Sequence, residues 1–167
     1  MIDRRLLLAG AGALALIAGV RWLTSAGDVE AAGAFEIEKS DDEWRKILTK
    51  QQYEVMRRHA TEIPGSSPLN AEKRKGSFAC AACELPLFSS QTKFESGTGW
   101  PSFYAPLPNA IGTATDRTLF IARTEVHCRR CGGHLGHVSE DGPPTTGLRY
   151  CINGVALKFM PDAPAAS

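Results

Sequence analysis

The sequence has almost no net charge and no apolar run of transmembrane length. Its 19 Lys and Arg residues balance 18 Asp and Glu residues and leave a formal charge of +1. This balance argues against nucleic acid or an anionic membrane as the main partner. The run Leu6–Val20 is uncharged but has only 15 residues, short of the ~20 that a membrane-spanning helix needs.

Several sequence patterns of known protein classes are also missing. There is no internal repeat, and low complexity is confined to the N-terminal segment. An H-E-x-x-H pattern is absent, which disfavours a zinc hydrolase. Two C-x-x-C pairs occur, but no thioredoxin-like strand–helix–strand pattern surrounds either of them, which disfavours a redox pair.

The N-terminal segment, residues 1–34, has the features of an export signal or a membrane anchor. Arg4 and Arg5 precede the apolar run, and Arg21 closes it, as in a twin-arginine signal. Ala32–Ala34 is a small-x-small sequence where cleavage could occur. We therefore predict an exported protein, periplasmic or attached to the membrane by this segment, with residues 35–167 as one domain.

The start of this domain has helical features. Ser40 with Glu43, and Thr49 with Gln52, have the spacing of capping boxes. They predict two short helices, near 41–48 and 50–59, with His59 at the surface near a helix end. The apolar residues predicted to face the core are Trp44, Ile47, Leu48, Tyr53 and Met56.

The rest of the domain has the composition of a β-rich structure. Gly, Pro, Ser and Thr become frequent and the apolar runs become short. Residues 118–124 and 149–160 are predicted strands bounded by turn residues. The sequence thus predicts an α+β fold that is mostly antiparallel β, with its short helices at the N-terminal end.

Four of the five cysteines have metal-ligand spacing. Two C-x-x-C turns can place four thiolates around one ion at Zn–S distances of ~2.3 Å. We predict one structural zinc ion per chain, with 44 residues between the turns forming a β-rich insertion. Two disulfides are the alternative, because an exported protein can form them. The predicted ligands are Cys80, Cys83, Cys128 and Cys131.

The fifth cysteine, Cys151, lies outside both turns. On a strand, Arg149, Cys151 and Asn153 would face the same side, because side chains alternate between faces. A guanidinium beside a thiol favours a reactive thiolate, although a lone cysteine is often an inert core residue. His134 and His137, in a glycine-rich turn after the second C-x-x-C, are candidate acid–base partners or ordinary loop histidines.

The segment "SGTGWPSF", residues 96–103, is a candidate substrate loop. Its glycines and proline favour a rigid turn that presents aromatic surface. Trp100 and Phe103 are the candidate substrate contacts, and Trp100 could wall an apolar pocket. A tryptophan in the hydrophobic core is the alternative.

Four segments together resemble the B-type methionine sulfoxide reductases. They are "KRKGSFACAACELPLFSS", "SGTGWPSF", "TEVHCRRCGGHLGHV" and "GLRYCINGVALKF". The resemblance spans about Glu43 to Pro161 and implies two antiparallel sheets with a structural zinc on four cysteines. It further implies reduction of the R epimer of methionine sulfoxide, free or in oxidised proteins and peptides, in protein repair under oxidative stress.

The resemblance also implies residue roles. The nucleophile of the family falls on Cys151, and the histidines that assist proton transfer fall on His134 and His137. The tryptophan that packs on the substrate methyl group falls on Trp100. The residues flanking the nucleophile fall on Arg149 and Asn153.

One position departs from many relatives, which carry a resolving cysteine where this chain has Thr98. The sulfenic acid that sulfoxide reduction leaves on Cys151 would then be reduced by an external thiol, such as a thioredoxin-like protein. The competing hypothesis is a zinc-containing binding module with an inert Cys151. The reactive groups around Cys151 favour the enzyme, because a binding module does not require them.

Overall fold

The computed structural model describes residues 35–117 and 121–163. The predictions for residues 1–34, an export signal or anchor and a cleavage site, lie outside the described residues. No helix in the described part of the chain is long and apolar enough to cross a membrane.

Two short α-helices open the described chain, α1 (Asp41–Ile47) and α2 (Lys50–Arg58). Both predicted capping boxes are confirmed. A carboxylate oxygen of Glu43 accepts the backbone N–H of Ser40 at 2.8 Å, and the side-chain amide oxygen of Gln52 accepts the backbone N–H of Thr49 at 3.0 Å. These bonds satisfy N–H groups that a helix leaves without partners at its start.

The predicted helix core is confirmed except at one residue. The side chains of Trp44, Leu48, Tyr53 and Met56 are buried, but Ile47 is 54% exposed. The core prediction for Ile47 is wrong because α1 ends there. Leu48 already has an extended backbone, and it is this residue that turns its side chain into the core.

In the part of the chain that the structure describes, nine strands follow the helices and form two antiparallel sheets. The smaller sheet has the order β2-β1-β9, and the larger has the order β3-β4-β8-β7-β6-β5. The strands are β1 (Gly76–Cys80), β2 (Pro86–Ser89), β3 (Lys93–Phe94), β4 (Ser102–Phe103), β5 (Ile111–Asp116), β6 (Arg123–Cys128), β7 (His134–Ser139), β8 (Arg149–Ile152) and β9 (Leu157–Pro161). Single 3₁₀ turns cover Pro68–Ala71, Ser90–Thr92 and Gly154–Ala156. The predicted α+β fold with two sheets and short N-terminal helices is confirmed.

The predicted strand 118–124 is confirmed only at its end, residues 123–124. Asp116 at the end of β5 pairs with Arg123 at the start of β6. Residues 118–120 lie outside the described part, and Ile121 is 74% exposed. The strand begins only at Arg123 and runs to Cys128.

The predicted strand 149–160 is two strands in different sheets. β8 belongs to the larger sheet and β9 to the smaller one, with a 3₁₀ turn between them. The chain turns because the buried Glu62 carboxylate accepts the N–H groups of Gly154 at 2.6 Å and Val155 at 2.9 Å. A side chain at Gly154 would lie 1.9 Å from the Ser67 hydroxyl, so only glycine fits.

The hydrophobic core includes residues from both sheets and both helices. At its centre Phe103 stacks on Phe88 at a ring distance of 4.4 Å and meets the edge of Phe78 at 5.0 Å. Because Phe78 and Phe88 belong to the smaller sheet and Phe103 to the larger, this aromatic cluster joins the two. The cluster fixes the position of β4, which pairs with β8 in the larger sheet.

Candidate active site

Four cysteine sulfurs converge where the turn after β1 meets the turn after β6. The four Sγ atoms lie within 4.8 Å of one another. The shortest separations cross between the turns, at 3.7 Å for Cys80 with Cys131 and 3.5 Å for Cys83 with Cys128. Hydrogen bonding with Cys128 raises the pKa of Cys80 and lowers the pKa of Cys83.

These distances suit one tetrahedral metal ion. Four thiolates at ~2.3 Å from zinc lie ~3.8 Å apart, close to the separations found here. A disulfide would need ~2.05 Å, and all five cysteines are free thiols. The geometry therefore favours a metal site over the alternative of two disulfides.

Strand β8 presents Cys151 to a separate cavity of about 210 Å³. As the alternation of side chains predicted, Arg149, Cys151 and Asn153 reach the same cavity. Two more of the predicted site residues, Trp100 and His137, join them there. The lining consists of Thr61, Trp100, Arg123, Gly136, His137, Ser139, Arg149, Cys151 and Asn153.

A chain of hydroxyl groups leads to the Cys151 sulfur. Thr98 Oγ1 lies 3.8 Å from Cys151 Sγ and 2.8 Å from Ser96 Oγ. Ser96 in turn lies 2.7 Å from the hydroxyl of Ser102, which is the residue opposite Cys151 in the β4–β8 pair. Thr98, the position at which the sequence lacks a resolving cysteine, is thus in contact with the candidate nucleophile.

Arg149 places a permanent positive charge beside that sulfur. Its Nε and Nη2 donate to the two carboxylate oxygens of Asp141 at 3.0 and 2.7 Å. The hydrogen bonds to Asp141 raise the pKa of Arg149 against the effect of burial, and the nearby Cys151 sulfur raises it further. Such a bidentate pair also fixes the plane of the guanidinium.

His137 is oriented by a carboxylate. Its Nε2 lies 2.7 Å from Asp116 Oδ2, which also accepts a hydrogen bond from Arg123 at 2.6 Å. Burial lowers the pKa of His137, the bond to Asp116 raises it, and the Arg123 charge lowers it again, with a net lowering. With Nε2–H donated to Asp116, Nδ1 is the nitrogen that can exchange a proton with a group in the cavity.

His134 lies behind His137 and not at the cavity wall. Its side chain is 2% exposed, and its Nδ1 lies 2.7 Å from Glu125 Oε1. The two imidazole rings meet edge to face with centroids 5.3 Å apart. The structure therefore separates the two predicted acid–base histidines into one at the cavity and one that supports it.

Asn153 shapes the wall through hydrogen bonds to two other segments. Its Oδ1 accepts the backbone N–H of Glu62, and its Nδ2 donates to the carbonyl of Leu135, both at 3.0 Å. Because both halves of the amide already have partners, Asn153 acts on the site by positioning. Trp100 is held by the same segment, since its Nε1 donates to the Glu62 carbonyl at 3.2 Å.

The structure does not bring Phe103, a predicted substrate contact, to the cavity. Its side chain is fully buried and stacks on Phe88 in the core. Phe103 follows Ser102 on β4, and neighbouring residues of a strand face opposite sides. Its position supports the strand next to β8 and leaves Trp100 as the aromatic residue of the wall.

Three buried or half-buried acids of the site were missed by sequence reasoning. They are Glu62, which holds the corner after β8, Asp116, which orients His137, and Glu125, which holds His134. Only the opposite charges of Asp116 and Arg123 could have suggested a cross-strand pair.

Comparison with known proteins shows which family the chain resembles. The model of the SelR domain matches residues 48–161. The chain is 51% identical to a peptide methionine sulfoxide reductase MsrB of Agrobacterium fabrum over 127 residues, 75% of this chain and 94% of that protein. It is 56% identical to the protein of the same name from Methanosarcina barkeri, over 75% of this chain and 89% of that protein. The corresponding protein of Pseudomonas putida is 53% identical, over 75% of this chain and 96% of that protein.

Proposed function

The chain belongs to the MsrB family of peptide methionine sulfoxide reductases, and from this premise we propose that it reduces the R epimer of methionine sulfoxide through Cys151. The substrate is the free amino acid or an oxidised methionine in a peptide or protein. The observation that carries the proposal is the cavity in which Cys151 meets Arg149, His137 and Trp100, apart from the four-cysteine cluster.

Each group at the cavity has a place in the reaction. The Cys151 sulfur attacks the sulfoxide sulfur, with the Arg149 charge beside it. His137, in its protonated form, delivers a proton to the sulfoxide oxygen as negative charge builds there. In sum the oxygen moves from the methionine sulfur to Cys151. Methionine sulfoxide is reduced by two electrons to methionine, and Cys151 is oxidised by two electrons to a sulfenic acid.

The same cavity gives a reason for selectivity between epimers. The sulfoxide sulfur carries a methyl group, an oxygen and the rest of the side chain, and it is chiral. If Trp100 contacts the methyl group, His137 the oxygen and Cys151 the sulfur, one direction remains for the side chain. The other epimer would have to exchange two of these groups and lose a contact.

We also propose that the four-cysteine cluster holds one zinc ion. Zinc bound by four thiolates is closed to substrate and supplies structural stability alone. Cys80, Cys83, Cys128 and Cys131 would be its ligands. Their metal would fix the turn that leads into β7, the strand that carries both His134 and His137.

Activity on separated epimers tests the function. A peptide carrying one R or one S methionine sulfoxide is incubated with enzyme and dithiothreitol, and methionine is separated by chromatography. We expect turnover of the R epimer and no reduction of the S epimer above that of enzyme alkylated at Cys151. Equal rates on both epimers, or none on either, would contradict the proposal.

Regeneration is proposed to use an external thiol, such as a thioredoxin-like dithiol. The four-cysteine cluster commits the other thiols to metal, and the Thr98 hydroxyl beside Cys151 cannot form a disulfide. One external thiol attacks the sulfenic acid, forms a mixed disulfide and releases water. A second thiol then releases Cys151 and takes the disulfide away.

Single turnover without a reductant tests this step. We expect one methionine per enzyme and a dimedone adduct on Cys151. Thr98→Cys should instead give an intramolecular disulfide with Cys151, because the Thr98 Oγ1 is already 3.8 Å from the sulfur. Thr98→Ser, which keeps the hydroxyl, is the matched control and should still give the adduct. A disulfide between Cys151 and a cluster cysteine in the wild type would overturn the one-cysteine mechanism.

We further propose that residues 1–34 direct export, by cleavage or as an anchor, to the periplasm or the membrane surface. The proposal rests on the adjacent arginines before an uncharged apolar run.

A further inference from the structure

A second group of metal-binding side chains lies behind the cavity. His59, Glu125 and His134 each offer one ligand atom, and the three atoms lie within 4.8 Å of one another. Glu125 Oε1 is 2.7 Å from His134 Nδ1 and 3.3 Å from His59 Nδ1. The reaction proposed above uses neither His59 nor Glu125 directly.

The backbone brings His59 to this position through an uncommon conformation. His59 ends α2 in the left-handed region, with φ of 57°, where glycine or asparagine is the usual residue. Its ring lies 4.9 Å from the ring of His134, at an interplanar angle of 32°. The left-handed backbone at His59 thus turns an exposed imidazole over the buried imidazole of His134.

We propose that His59, Glu125 and His134 form a second site for a divalent transition metal ion, with Zn²⁺ as the probe. Two imidazoles and one carboxylate are a donor set that suits zinc, with a fourth position open to water. Metal–ligand distances of ~2.0–2.2 Å place neighbouring donors ~3.3–3.5 Å apart. The His59–Glu125 separation already has this length, and the His134–Glu125 pair must open by ~0.6–0.8 Å.

The negative charge of Glu125 and the exposure of His59 to solvent also suit the binding of a cation. Burial raises the pKa of Glu125, but hydrogen bonding to His134 and the charges of His134, His59 and His127 lower it by more, so the net effect is a lowered pKa that favours the carboxylate. The His59 side chain is 58% exposed, whereas Glu125 is 12% and His134 is 2% exposed. An ion can therefore arrive through His59 and bind an acid that is already deprotonated.

Occupancy of this site should inhibit the reductase, a consequence that rests on the proposed function. The ion would hold His134 and place a positive charge close to His137, whose ring is 5.3 Å from that of His134. Protonation of His137 would become harder beside that charge. The reaction would lose its proton donor while Cys151 and the four-cysteine cluster stay intact.

The binding test needs no catalysis. Full-length protein with its four-cysteine cluster loaded is titrated with Co²⁺, whose absorption distinguishes nitrogen and oxygen ligands from thiolates, and then with Zn²⁺ as competitor. We expect one further ion per chain without new thiolate-to-cobalt bands. Asparagine tolerates the left-handed backbone, so His59→Asn should keep the fold. It should weaken binding of this ion by at least about tenfold. Glu54→Gln, which removes an exposed acid of the same helix, is the control and should change nothing.

Inhibition is measured separately, as methionine formed in a single turnover without added thiol. Zn²⁺ should slow wild type and Glu54→Gln, and it should slow His59→Asn only at correspondingly higher concentration. An additional ion that binds the wild type and His59→Asn equally, or no additional ion at all, overturns the site. Binding that depends on His59 but leaves turnover unchanged keeps the site and refutes its effect on His137. Failure of the protein to reduce methionine sulfoxide would leave the cobalt titration interpretable.

Discussion

Replacement of Cys151 by serine is expected to lower methionine sulfoxide reduction by at least about a thousandfold. The reaction needs a soft nucleophile that attacks sulfur and can carry the transferred oxygen. A serine hydroxyl at neutral pH is a poor nucleophile, and it has no oxidation state equivalent to a sulfenic acid. Trp100, Arg149 and His137 would still bind the substrate, so the loss should fall on kcat more than on KM.

Initial rates on R-sulfoxide peptide with dithiothreitol measure this loss. The same Cys151→Ser preparation provides its own structural control, because the residue is only half-buried and outside the metal cluster. Its melting temperature and zinc content should equal those of the wild type. Residual activity within about tenfold of wild type would show that Cys151 is not the nucleophile.

The second large effect is expected on stability, from Cys128→Ser. Cys128 is fully buried at the end of β6, and its sulfur lies 3.5 Å from the sulfur of Cys83 on the other turn. Structural zinc binding contributes about 10–16 kcal/mol in small zinc domains, as much as the whole stability of a typical protein. Loss of one of four ligands should therefore unfold the domain or leave it unstable at room temperature.

Thermal unfolding and elemental analysis test this expectation together. Wild type and Cys151→Ser should each carry one zinc ion, whereas Cys128→Ser should carry well under one and lose its cooperative transition. A strong chelator should cause the same change in the wild type. A Cys128→Ser protein that melts like the wild type would exclude a structural metal at the cluster.

The sequence by itself determined the features that depend on neighbours close in the chain. The capping boxes at Ser40 and Thr49 join residues three apart, so their spacing was enough to locate both helices. Each C-x-x-C turn fixes two thiols locally, and the excess of one cysteine singled out Cys151. The alternation of side chains likewise placed Arg149 and Cys151 at one cavity.

The tertiary structure alone decided which distant residues complete the site. Glu62 reaches Gly154 across 92 positions, and His137 meets Asp116 across 21, distances along the chain that leave no local signal. A carboxylate in a sequence can be a solvated surface group or a buried partner, and only burial distinguishes the two. For the same reason the sequence alone could not distinguish the roles of His134 and His137, because those roles depend on which residues pack around each side chain.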